Sequence, residues 1–568
     1  MILSNFETWS LYQVSFFNQY VVRNFFFIIL LFLFVFSINA QQTVGLFHSS
    51  DSAYSGYTLF APSRSEITYL IDNCGNLQYT WHSPYRAAGS SELQENGLLI
   101  RSCKYPNGSP INGGGAGGKI MAIQPDLLVA WELDIANDTN RQHHDFTILP
   151  NGNIITIVWE LRSEQQAIHY GRDSSLVSAS GLWPDYLIEY NPISDSIVWE
   201  WHAWDHVIQD YDSTMPNFGV IAEHPELLNL NFSGNGDNPD WLHLNSLDYN
   251  DQLDQLLFSS PNWNEIFIID HSTTTLEAAG HSGGNSGIGG DILWRWGNPI
   301  TYGAGDSTNQ VFYFQHDAHW ITQGYPDEQK IIVFNNGKGK QPYEFSSVDI
   351  INPMIHPTGV YGMSVDGSFL PASVHYSYTA PNPTDFFGRI ISSAEQLPNG
   401  NLLIDEGTKG HFFEVDSLGN IVWDYVNPVV SDSILTQGQT IPGTSNLFNS
   451  CFRARRYGAT FSGLTFLPMS NQGPIELNPY TNTCAVGTND FEHAEMTLFP
   501  NPTNNYFSIQ PIPLNCSMYL SNAMGQQLMY KQNIPELINV SELDLGIYFI
   551  TIINNDSSNR VVWKLIKS

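Results

Sequence analysis

The feature that most constrains the fold of this chain is a strand–turn–strand unit that recurs along its length and carries a tryptophan in its second strand. Copies of this unit lie at residues 70–81, 123–131, 188–199, 268–294 and 414–423. A Ser-Ser-Val-Asp-Ile stretch at 346–350 indicates one more. Each copy joins two apolar stretches through an acidic or Asn/Gly-containing turn, which is typical of a β-hairpin. Such hairpins at irregular intervals favour a β-propeller whose blades carry long insertions.

The composition supports an all-β fold and excludes one class of function. The 568 residues include 45 Gly, 31 Pro and 13% aromatic side chains, but only 14% are charged. We predict an all-β chain, a six-bladed β-propeller followed by a small C-terminal β-sandwich, with a β-helix or a pair of sandwiches as alternatives. The tryptophans are expected to pack between strands rather than to form a cofactor platform. A net charge of −33 excludes binding to nucleic acid through neutralisation of its phosphates.

The N-terminal segment has the pattern of an export signal. Arg23 precedes the apolar run 25–36, and a few small or polar residues lead from it to Ala40. A basic residue, a short apolar run and a small residue at its end predict a secretory signal peptide over residues 1–40. The run is shorter than a transmembrane span of about 20 residues, and an uncleaved N-terminal anchor is the alternative interpretation.

A second unit is predicted at the C-terminus. The chain reads Leu-Phe-Pro-Asn-Pro at 498–502, continues with short alternating strands and Gly-Ile-Tyr-Phe-Ile at 546–550, and ends in a basic segment. Pro-Asn-Pro marks a turn into a new unit, and the alternation predicts a small β-sandwich. This tail resembles the C-terminal sorting domain of cargo of type IX secretion, an outer-membrane export system of Bacteroidetes. An ordinary carbohydrate-binding sandwich is the alternative.

The resemblance of the tail implies a division of the chain and a location. We expect a signal peptide at 1–40, the propeller at 41–470, a linker at 471–492 and the sorting domain at 493–568. The implied partner is the type IX secretion machinery. The implied location is secreted or at the cell surface, with the outer-membrane surface as a further partner.

The cysteines allow disulfides in an exported protein. Their number, five, is odd, so one is left unpaired if the others form bridges. If Cys516 belongs to the separate tail, the local pairs are Cys74–Cys103 and Cys451–Cys484. The chain has no Cys-x-x-Cys spacing, which argues against a thiolate zinc site.

The histidines are the unusual polar feature of a chain with few charges. Several of the 17 fall in polar phrases, at 141–146, 201–206, 240–246 and 315–320. Three of these phrases precede predicted strands, where a propeller directs residues from distant blades toward one mouth of its channel. Imidazole serves as metal ligand, general acid or base, or nucleophile. His202 and His206 have the spacing of a helical zinc pair but no His-Glu-x-x-His pattern, and we predict no metal site.

Four phrases together resemble one enzyme family. DWLHLNS, QHDAHW, HHDFTILPNGN and SSAEQLPNGNLLIDEG, the last continued by FFEVDSLGNIVWDY, are similar to the bacterial arylsulfate sulfotransferases and occur in that family's order. The similarity covers most of residues 45–465. It implies an exported six-bladed propeller that transfers a sulfuryl group from an aryl sulfate to a phenol. It also implies a reaction that needs no cofactor and no 3′-phosphoadenosine 5′-phosphosulfate (PAPS).

The resemblance also assigns roles to individual residues. His316 corresponds to the nucleophile that becomes a sulfohistidine, and His243 and Asn245 correspond to a His-x-Asn pair on the sulfuryl oxygens. A further catalytic histidine corresponds to His143 or His144. A late hydroxyl residue of the site corresponds to Ser392 or Ser393, and we expect Ser393 to bind substrate.

The chemistry agrees with a histidine site, but one family residue is missing. Sulfuryl transfer requires fixed donors for three charged oxygens and a nucleophile that is neutral when it attacks. The arginine that follows the Ser-Ser of the family is absent from the run 258–263. We expect Lys340 or Arg389, or else Lys338, to supply the positive charge. The alternatives to a transferase are a non-catalytic propeller that binds a ligand or a surface, and a hydrolase or lyase acting on sulfated polysaccharide.

Overall fold

The computed structural model describes residues 41–106, 109–356, 359–442, 447–480, 484, 497–510, 516–522, 527–554 and 560–568. The predicted signal peptide lies outside the described residues. The described chain is almost all β, with 43% strand and 8% helix, and the predicted all-β class is confirmed. None of its helices has the length and apolar character needed to span a bilayer.

The strands and helices are short and follow one another closely. The strands up to residue 458 are β1 (Gly45–Ser49), β2 (Gly56–Pro62), β3 (Ile67–Asp72), β4 (Leu77–His82), β5 (Ala87–Leu93), β6 (Leu99–Lys104), β7 (Gly118–Ile123), β8 (Val129–Asp134), β9 (Asn140–Ile148), β10 (Ile154–Glu160), β11 (Asp185–Asn191), β12 (Ser196–His202), β13 (Val207–Ile208), β14 (Leu228–Asn229), β15 (Ser246–Asn250), β16 (Gln255–Ser260), β17 (Glu265–Asp270), β18 (Ile292–Trp296), β19 (His316–Trp320), β20 (Ile331–Asn335), β21 (Ser347–Ile351), β22 (Tyr376–Tyr378), β23 (Ser393–Gln396), β24 (Leu402–Glu406), β25 (His411–Val415), β26 (Ile421–Val426), β27 (Val429–Val430), β28 (Ser433–Ile434) and β29 (Cys451–Gly458). The strands of the C-terminal unit are β30 (Thr497–Phe499), β31 (Tyr506–Gln510), β32 (Cys516–Asn522), β33 (Gln527–Lys531), β34 (Ile538–Asn539), β35 (Gly546–Asn554) and β36 (Arg560–Lys567). The helices are α1 (Glu164–His169) and α2 (Thr275–Ala278), with 3-10 turns at Ser174–Leu176, Ala203–His206, Ile221–Glu223, Pro299–Tyr302, Ser307–Asn309, Pro383–Asp385, Gly407–Lys409 and Ser462–Phe466.

Most strands up to β29 form antiparallel sheets of at least four strands, in which sequence neighbours pair. Across the described residues there are six of these, namely sheet 1 (β29, β2, β3, β4), sheet 2 (β5–β8), sheet 3 (β9–β12), sheet 4 (β15–β18), sheet 5 (β19–β22) and sheet 6 (β23–β26, with β1 at its far edge). The inner strands contact one another in the cyclic order β29, β5, β9, β15, β19, β23 and back to β29. This closed order agrees with the predicted six-bladed propeller.

The predicted tryptophan hairpins are the outer strand pairs of these sheets. The five repeats fall on β3–β4, β7–β8, β11–β12, β17–β18 and β25–β26, and the stretch 346–350 falls on β21. Trp81, Trp294 and Trp423 are fully buried, while Trp131 is only partly buried. Packing of the indoles between sheets accounts for their recurrence, because a large apolar ring in each repeat fills the space between neighbouring sheets.

Strands from the start and the end of the region 45–458 pair with each other. β29 pairs with β2 from the start of the region, and β1 pairs with β26. Residues 473–477, in the predicted linker, also hydrogen-bond to this region: Leu77 N donates to Gly473 O at 2.8 Å and Gln437 N to Leu477 O at 2.8 Å. This pairing of early with late strands closes the ring of sheets.

Two arginines of β29 tie the inner strands together. Arg453 binds Asp145 of β9 through two hydrogen bonds of 3.0 and 2.8 Å, and its Nε lies 2.7 Å from Asp317 Oδ1 of β19. Arg455 also binds Asp317, at 3.0 and 2.7 Å. Burial raises the pKa of the Asp317 carboxyl, but the two guanidinium groups outweigh it and lower that pKa to about 2. The central strands are therefore joined by charge-assisted hydrogen bonds as well as by packing.

The disulfide pairing expected from the sequence is wrong. Cys74 pairs with Cys484, at a sequence separation of 410, whereas Cys103 and Cys451 are buried free thiols. The spacing of the cysteines did not indicate this bond, because the bond joins the turn between β3 and β4 to the segment that follows β29 in the chain.

The C-terminal unit has two antiparallel sheets, one formed by β30, β31 and β34 and the other by β33, β32, β35 and β36. Phe507, Met518, Ile550 and Leu565 belong to one buried cluster that takes side chains from both sheets. Two sheets that share one apolar core agree with the predicted β-sandwich.

Candidate active site

Imidazoles from three parts of the chain meet at one end of the ring of inner strands. His144 lies on β9, His243 precedes β15, and His316 begins β19. The ring centroids of His144 and His243 are 4.6 Å apart in an edge-to-face arrangement. Burial lowers the pKa of His144 well below its usual value, and the charges of His243 and His316 lower it further. The convergence expected from the spacing of the histidine phrases is thus present in the structure.

A cavity of about 310 Å³ opens beside His243. Its lining includes Asp240, Phe314 and Lys338, and the glycines Gly113 and Gly114. The Phe314 ring centroid lies 5.8 Å from that of His316. The cavity therefore combines an aromatic wall with imidazole and ammonium groups, a combination that suits an aromatic anion.

The backbone at the site is bent to aim these side chains. His144, His243 and Asp317 have positive φ angles of 51°, 57° and 55°. Irregular register interrupts the pairing of β9 with β10 and that of β19 with β20 near the same residues. Bulges redirect side chains and are common beside active sites. Left-handed backbone in residues other than glycine costs about 1–3 kcal/mol each, and such strain concentrates at functional sites.

His316 is held as a neutral imidazole of defined tautomer. Its Nδ1 lies 2.8 Å from Asn336 Oδ1 and 3.1 Å from the Phe314 carbonyl oxygen. The Asn336 amide is oriented by its Nδ2, which donates to the carbonyl oxygens of Gly388 and Ile391 at 2.6 and 2.8 Å. Because both groups near Nδ1 are acceptors, Nδ1 carries the proton and Nε2 carries the lone pair. Burial lowers the pKa of His316 to about 4.

His243 is held in the opposite state. Its Nδ1 hydrogen-bonds the Asp240 carboxylate. Burial lowers the pKa of His243, but the charge and hydrogen bond of Asp240 outweigh this and raise it above the usual 6.5. One site thus contains an imidazole whose surroundings favour the neutral form and one whose surroundings favour the charged form.

His143 lies behind His144 and supports it. The Nδ1 atoms of the two rings are 2.8 Å apart, and His143 stacks on the Trp159 indole with ring centroids 3.8 Å apart. Its Nε2 is 2.9 Å from Asp185 Oδ1, and both groups are fully buried. His144, rather than His143, is the ring that contacts His243, so the structure distinguishes the two candidates by position.

A glycine-rich loop packs against the imidazoles. A Cβ atom on Gly115, where φ is 71°, would lie 2.1 Å from His144 Nε2, and one on Gly113 would lie 2.9 Å from Asp240 Oδ2. The backbone of this loop approaches the site as closely as it does only because no side chain intervenes.

The predicted amide and hydroxyl residues lie nearby and bind backbone. Asn245 is fully buried, and its Nδ2 donates to the Gln315 carbonyl oxygen at 2.8 Å, directly before His316. Ser393 Oγ accepts from Ala454 N at 3.3 Å. Ser392 Oγ accepts from Gly407 N at 3.0 Å, with its own φ at 88°. A direct role for these residues on substrate stays a prediction.

Of the three basic residues expected to supply the positive charge, Lys338 lines the cavity. Its Nζ lies 3.6 Å from the Phe314 ring centroid, and its charge acts on His243. Burial lowers the pKa of Lys338, and the charge of Arg389 adds to this effect. Arg389 is exposed. Lys340 does not line the cavity: its Nζ packs on the Phe345 ring at 3.9 Å.

The structure separates the histidines of the suggested helical zinc pair. The chain forms the end of β12 and then a 3-10 turn, so His202 and His206 do not share an α-helical face. The His202 ring stacks on Tyr186 with centroids 4.7 Å apart. His206 Nδ1 instead hydrogen-bonds Asp291.

Several site residues escaped prediction from the sequence. Asp240 stands in the same phrase as His243, and an Asp-x-x-His spacing was the available signal. The run of glycines at 113–115 was a second signal, since close backbone approach needs glycine. No sequence signal pointed to Asn336 or Trp159, because their contacts with the histidines depend on how distant strands pack.

Comparison with known proteins identifies both units. The family described as Arylsulfotransferase (ASST) matches residues 63–428, and the Secretion system C-terminal sorting domain matches residues 497–568. The second match shows that the chain carries a type IX sorting domain and is exported, either secreted or at the cell surface. No curated protein matches the chain.

Solved structures resemble the chain at low identity. A protein of unknown function from Bacteroides caccae is 11% identical and covers 66% of this chain and 94% of its own, with a TM-score of 0.35. A virginiamycin B lyase from Staphylococcus aureus is 11% identical and covers 69% of this chain and 90% of its own, with a TM-score of 0.32. A putative 6-phosphogluconolactonase from Bacteroides fragilis is 10% identical and covers 72% of this chain and 99% of its own, with a TM-score of 0.31.

Proposed function

This chain belongs to the arylsulfotransferase family, and we propose that it transfers a sulfuryl group from an aryl sulfate to a phenol through a covalent intermediate on His316. The observation that carries this proposal is the pairing of a neutral His316, fixed by Asn336, with a charged His243, fixed by Asp240. The aryl sulfate is itself the donor, so the reaction needs no PAPS and no other cofactor.

His316 meets the requirements of the nucleophile. A nucleophilic imidazole must be neutral and must present a lone pair toward the substrate. With its pKa at about 4, His316 is neutral at the pH of most natural waters and cells. The hydrogen bond from Nδ1 to Asn336 leaves Nε2 as the attacking atom and holds the ring in one orientation.

His243 and Lys338 meet the requirements of the sulfate site. The sulfuryl oxygens carry negative charge throughout the reaction, and fixed cationic donors stabilise it best where water is excluded. Lys338 takes the role of the arginine that is missing from the run 258–263. A lysine is a point charge without the two-pronged geometry of a guanidinium group, so it allows more variation in how the sulfate is oriented.

The first half of the reaction transfers the sulfuryl group to the protein. The Nε2 lone pair of His316 forms a bond to sulfur while the bond from sulfur to the aryl oxygen breaks. The departing phenolate keeps the electron pair and takes a proton from the imidazolium of His243, which becomes neutral. Asn336 continues to accept the Nδ1 hydrogen bond of the sulfated ring.

The second half reverses these steps with a new phenol. The acceptor gives its proton to the neutral His243, and its oxygen attacks the sulfur as the bond from nitrogen to sulfur breaks. The electron pair returns to Nε2, and His243 is again charged. Phe314 provides an aromatic surface for both phenols in turn. Export places this exchange outside the cytoplasm, and we propose the outer-membrane surface as its location.

A transfer assay tests the proposal. With a nitrophenyl sulfate as donor and a phenol as acceptor, the purified protein releases nitrophenol and forms the new sulfate ester, and His316→Ala abolishes both. His319→Ala is the matched control, because His319 lies on the same strand and its Nδ1 contacts only the Asp317 carbonyl oxygen among the hydrogen bonds of the described residues. Equal activity in wild type and His316→Ala contradicts the proposal.

A further inference from the structure

A second histidine cluster lies away from the active site, between sheets 3 and 4. It consists of His206, in the turn after β12, and of His281 and Asp291, in the connection between β17 and β18. One nitrogen or oxygen atom from each lies within 4.8 Å of the others. The Nδ1 atoms of His206 and His281 are 2.7 and 2.8 Å from the same atom, Asp291 Oδ1.

The contacts of His206 fix its tautomer. Its Nε2 lies 2.8 Å from the Ala278 carbonyl oxygen, which only accepts, so Nε2 carries a proton. Its Nδ1 faces the Asp291 carboxylate, which also accepts. A cation, either a proton or a metal ion, must therefore lie between the imidazole and the carboxylate. Metal-bound histidines almost always donate their other ring N–H to a carbonyl or a carboxylate, as His206 does.

The surroundings give the cluster one rigid side and one open side. His206 is fully buried and stacks on Trp201, with ring centroids 5.6 Å apart. A Cβ atom on Gly290 would lie 2.7 Å from His206 Nε2, so this glycine lets the backbone close over the ring. The His281 side chain is 62% exposed, which leaves room for water at the remaining coordination positions.

We propose that His206, His281 and Asp291 bind a divalent transition metal ion, with Zn²⁺ as the best fit. Two imidazoles and one carboxylate are borderline ligands that suit Zn²⁺ and not Ca²⁺ or Mg²⁺, which prefer oxygen. The ion joins the turn after β12 to the long connection of the neighbouring sheet, and it acts as a clamp between two sheets. It has no part in sulfuryl transfer, because its ligands stand apart from the imidazoles of the active site.

Metal counting on the full chain tests this proposal. After removal of metal with a chelator, equilibrium dialysis against micromolar Zn²⁺ loads the wild type, and His281→Ala binds one equivalent less. Asp291→Asn, which keeps the shape of the side chain, also binds one equivalent less. His224→Ala is the control and binds as the wild type does, because His224 is a nearby exposed histidine paired with Glu226 at 2.8 Å outside the cluster.

Two further readouts separate this site from the active site. Zn²⁺ raises the thermal midpoint of the wild type and not that of His281→Ala, and Co²⁺ in place of Zn²⁺ gives visible absorption bands that this variant lacks. Sulfotransferase activity is the same in both proteins. A metal content unchanged by His281→Ala places the ion at other histidines and overturns the proposal, and so does the absence of bound Zn²⁺ in the wild type.

Discussion

The imidazoles of His243 and His316 lie in one site, yet their surroundings move their pKa values in opposite directions. His316 is buried beside a neutral amide, so its charged form loses hydration and gains no counter-ion. His243 is buried beside a carboxylate that favours its charged form. The chemistry proposed here depends on this contrast, since one ring attacks and the other gives up a proton.

The contrast predicts a bell-shaped pH profile for kcat/KM with the donor. Activity falls below about pH 4, where His316 takes up a proton, and falls again above the raised pKa of His243, where the proton donor is lost. Asp240→Asn removes the carboxylate that raises the pKa of His243, so the alkaline limb moves to lower pH. Asp254→Asn, which breaks a His–Asp pair outside the site, leaves the profile in place. An alkaline limb that Asp240→Asn does not move contradicts the role of His243.

The missing arginine predicts a specific requirement for Lys338. Lys338→Met lowers kcat/KM for the aryl sulfate by about 100-fold, the usual effect of removing one donor from a charged transition state. Lys338→Arg retains most of the activity. Lys340→Met serves as the control, because Lys340 lies on the same loop but packs on Phe345. A similar loss in the Lys338 and Lys340 variants would mean that a general positive field, rather than one placed cation, holds the sulfate.

At the scale of secondary-structure elements, the site is formed by β-bulges and loops that interrupt otherwise regular sheets. Bulges near His144 and His316 turn these side chains, and the loop at 113–115 packs on His144 and His243. The hairpins that support them were predictable, because period-two alternation and turn residues are local signals. The bulges and the close loop could not be predicted, because each depends on the strands that pair with it or pack against it. The histidines were found through their phrases, whereas Asn336, in the loop after β20, carried no local signal.

The close approach of the loop at 113–115 predicts that adding one methyl group at Gly115 lowers activity. Gly115→Ala reduces kcat/KM by at least about 10-fold, because the new Cβ would overlap the His144 ring and displace it. Gly152→Ala is the control for backbone strain: its φ of 85° is also positive, but a Cβ there has no neighbour within 4 Å. In urea titrations Gly152→Ala loses about 1–2 kcal/mol of unfolding free energy from the positive φ alone, and Gly115→Ala loses more because of the overlap. If Gly152→Ala loses as much activity as Gly115→Ala, overlap with His144 is not the cause.

At the scale of the whole molecule, the inner strand β29 both closes the ring, by pairing with β2, and contacts the strands that carry the site histidines. Asp145 and Asp317 each neighbour a site histidine in sequence, and both bind Arg453. Sequence predicted the sheets and their approximate number, since each repeat is a local unit. It did not predict the closing strand β29, the ion pairs across the axis or the Cys74–Cys484 bond. All three join residues that are hundreds of positions apart.

The ion pairs predict a strong dependence of stability on Arg453. Arg453→Leu leaves the buried Asp145 carboxylate without its guanidinium partner, while Asp317 keeps only Arg455, and it lowers the free energy of unfolding by about 3–5 kcal/mol. Arg86→Leu breaks an exposed pair with Asp432, 3.1 Å long, and costs less than about 1 kcal/mol. Urea unfolding followed by tryptophan fluorescence compares them. Equal effects of the two substitutions would show that the central pairs add little to stability.

The most direct test of the account is to isolate its covalent intermediate. The protein is mixed with ³⁵S-labelled aryl sulfate in the absence of any acceptor, and both phenol release and protein-bound label are followed. We predict a burst of one phenol per protein and one label per protein, located by peptide mapping on His316, absent from His316→Ala and discharged by added phenol. Steady transfer without a burst, or a label on another residue, would contradict it.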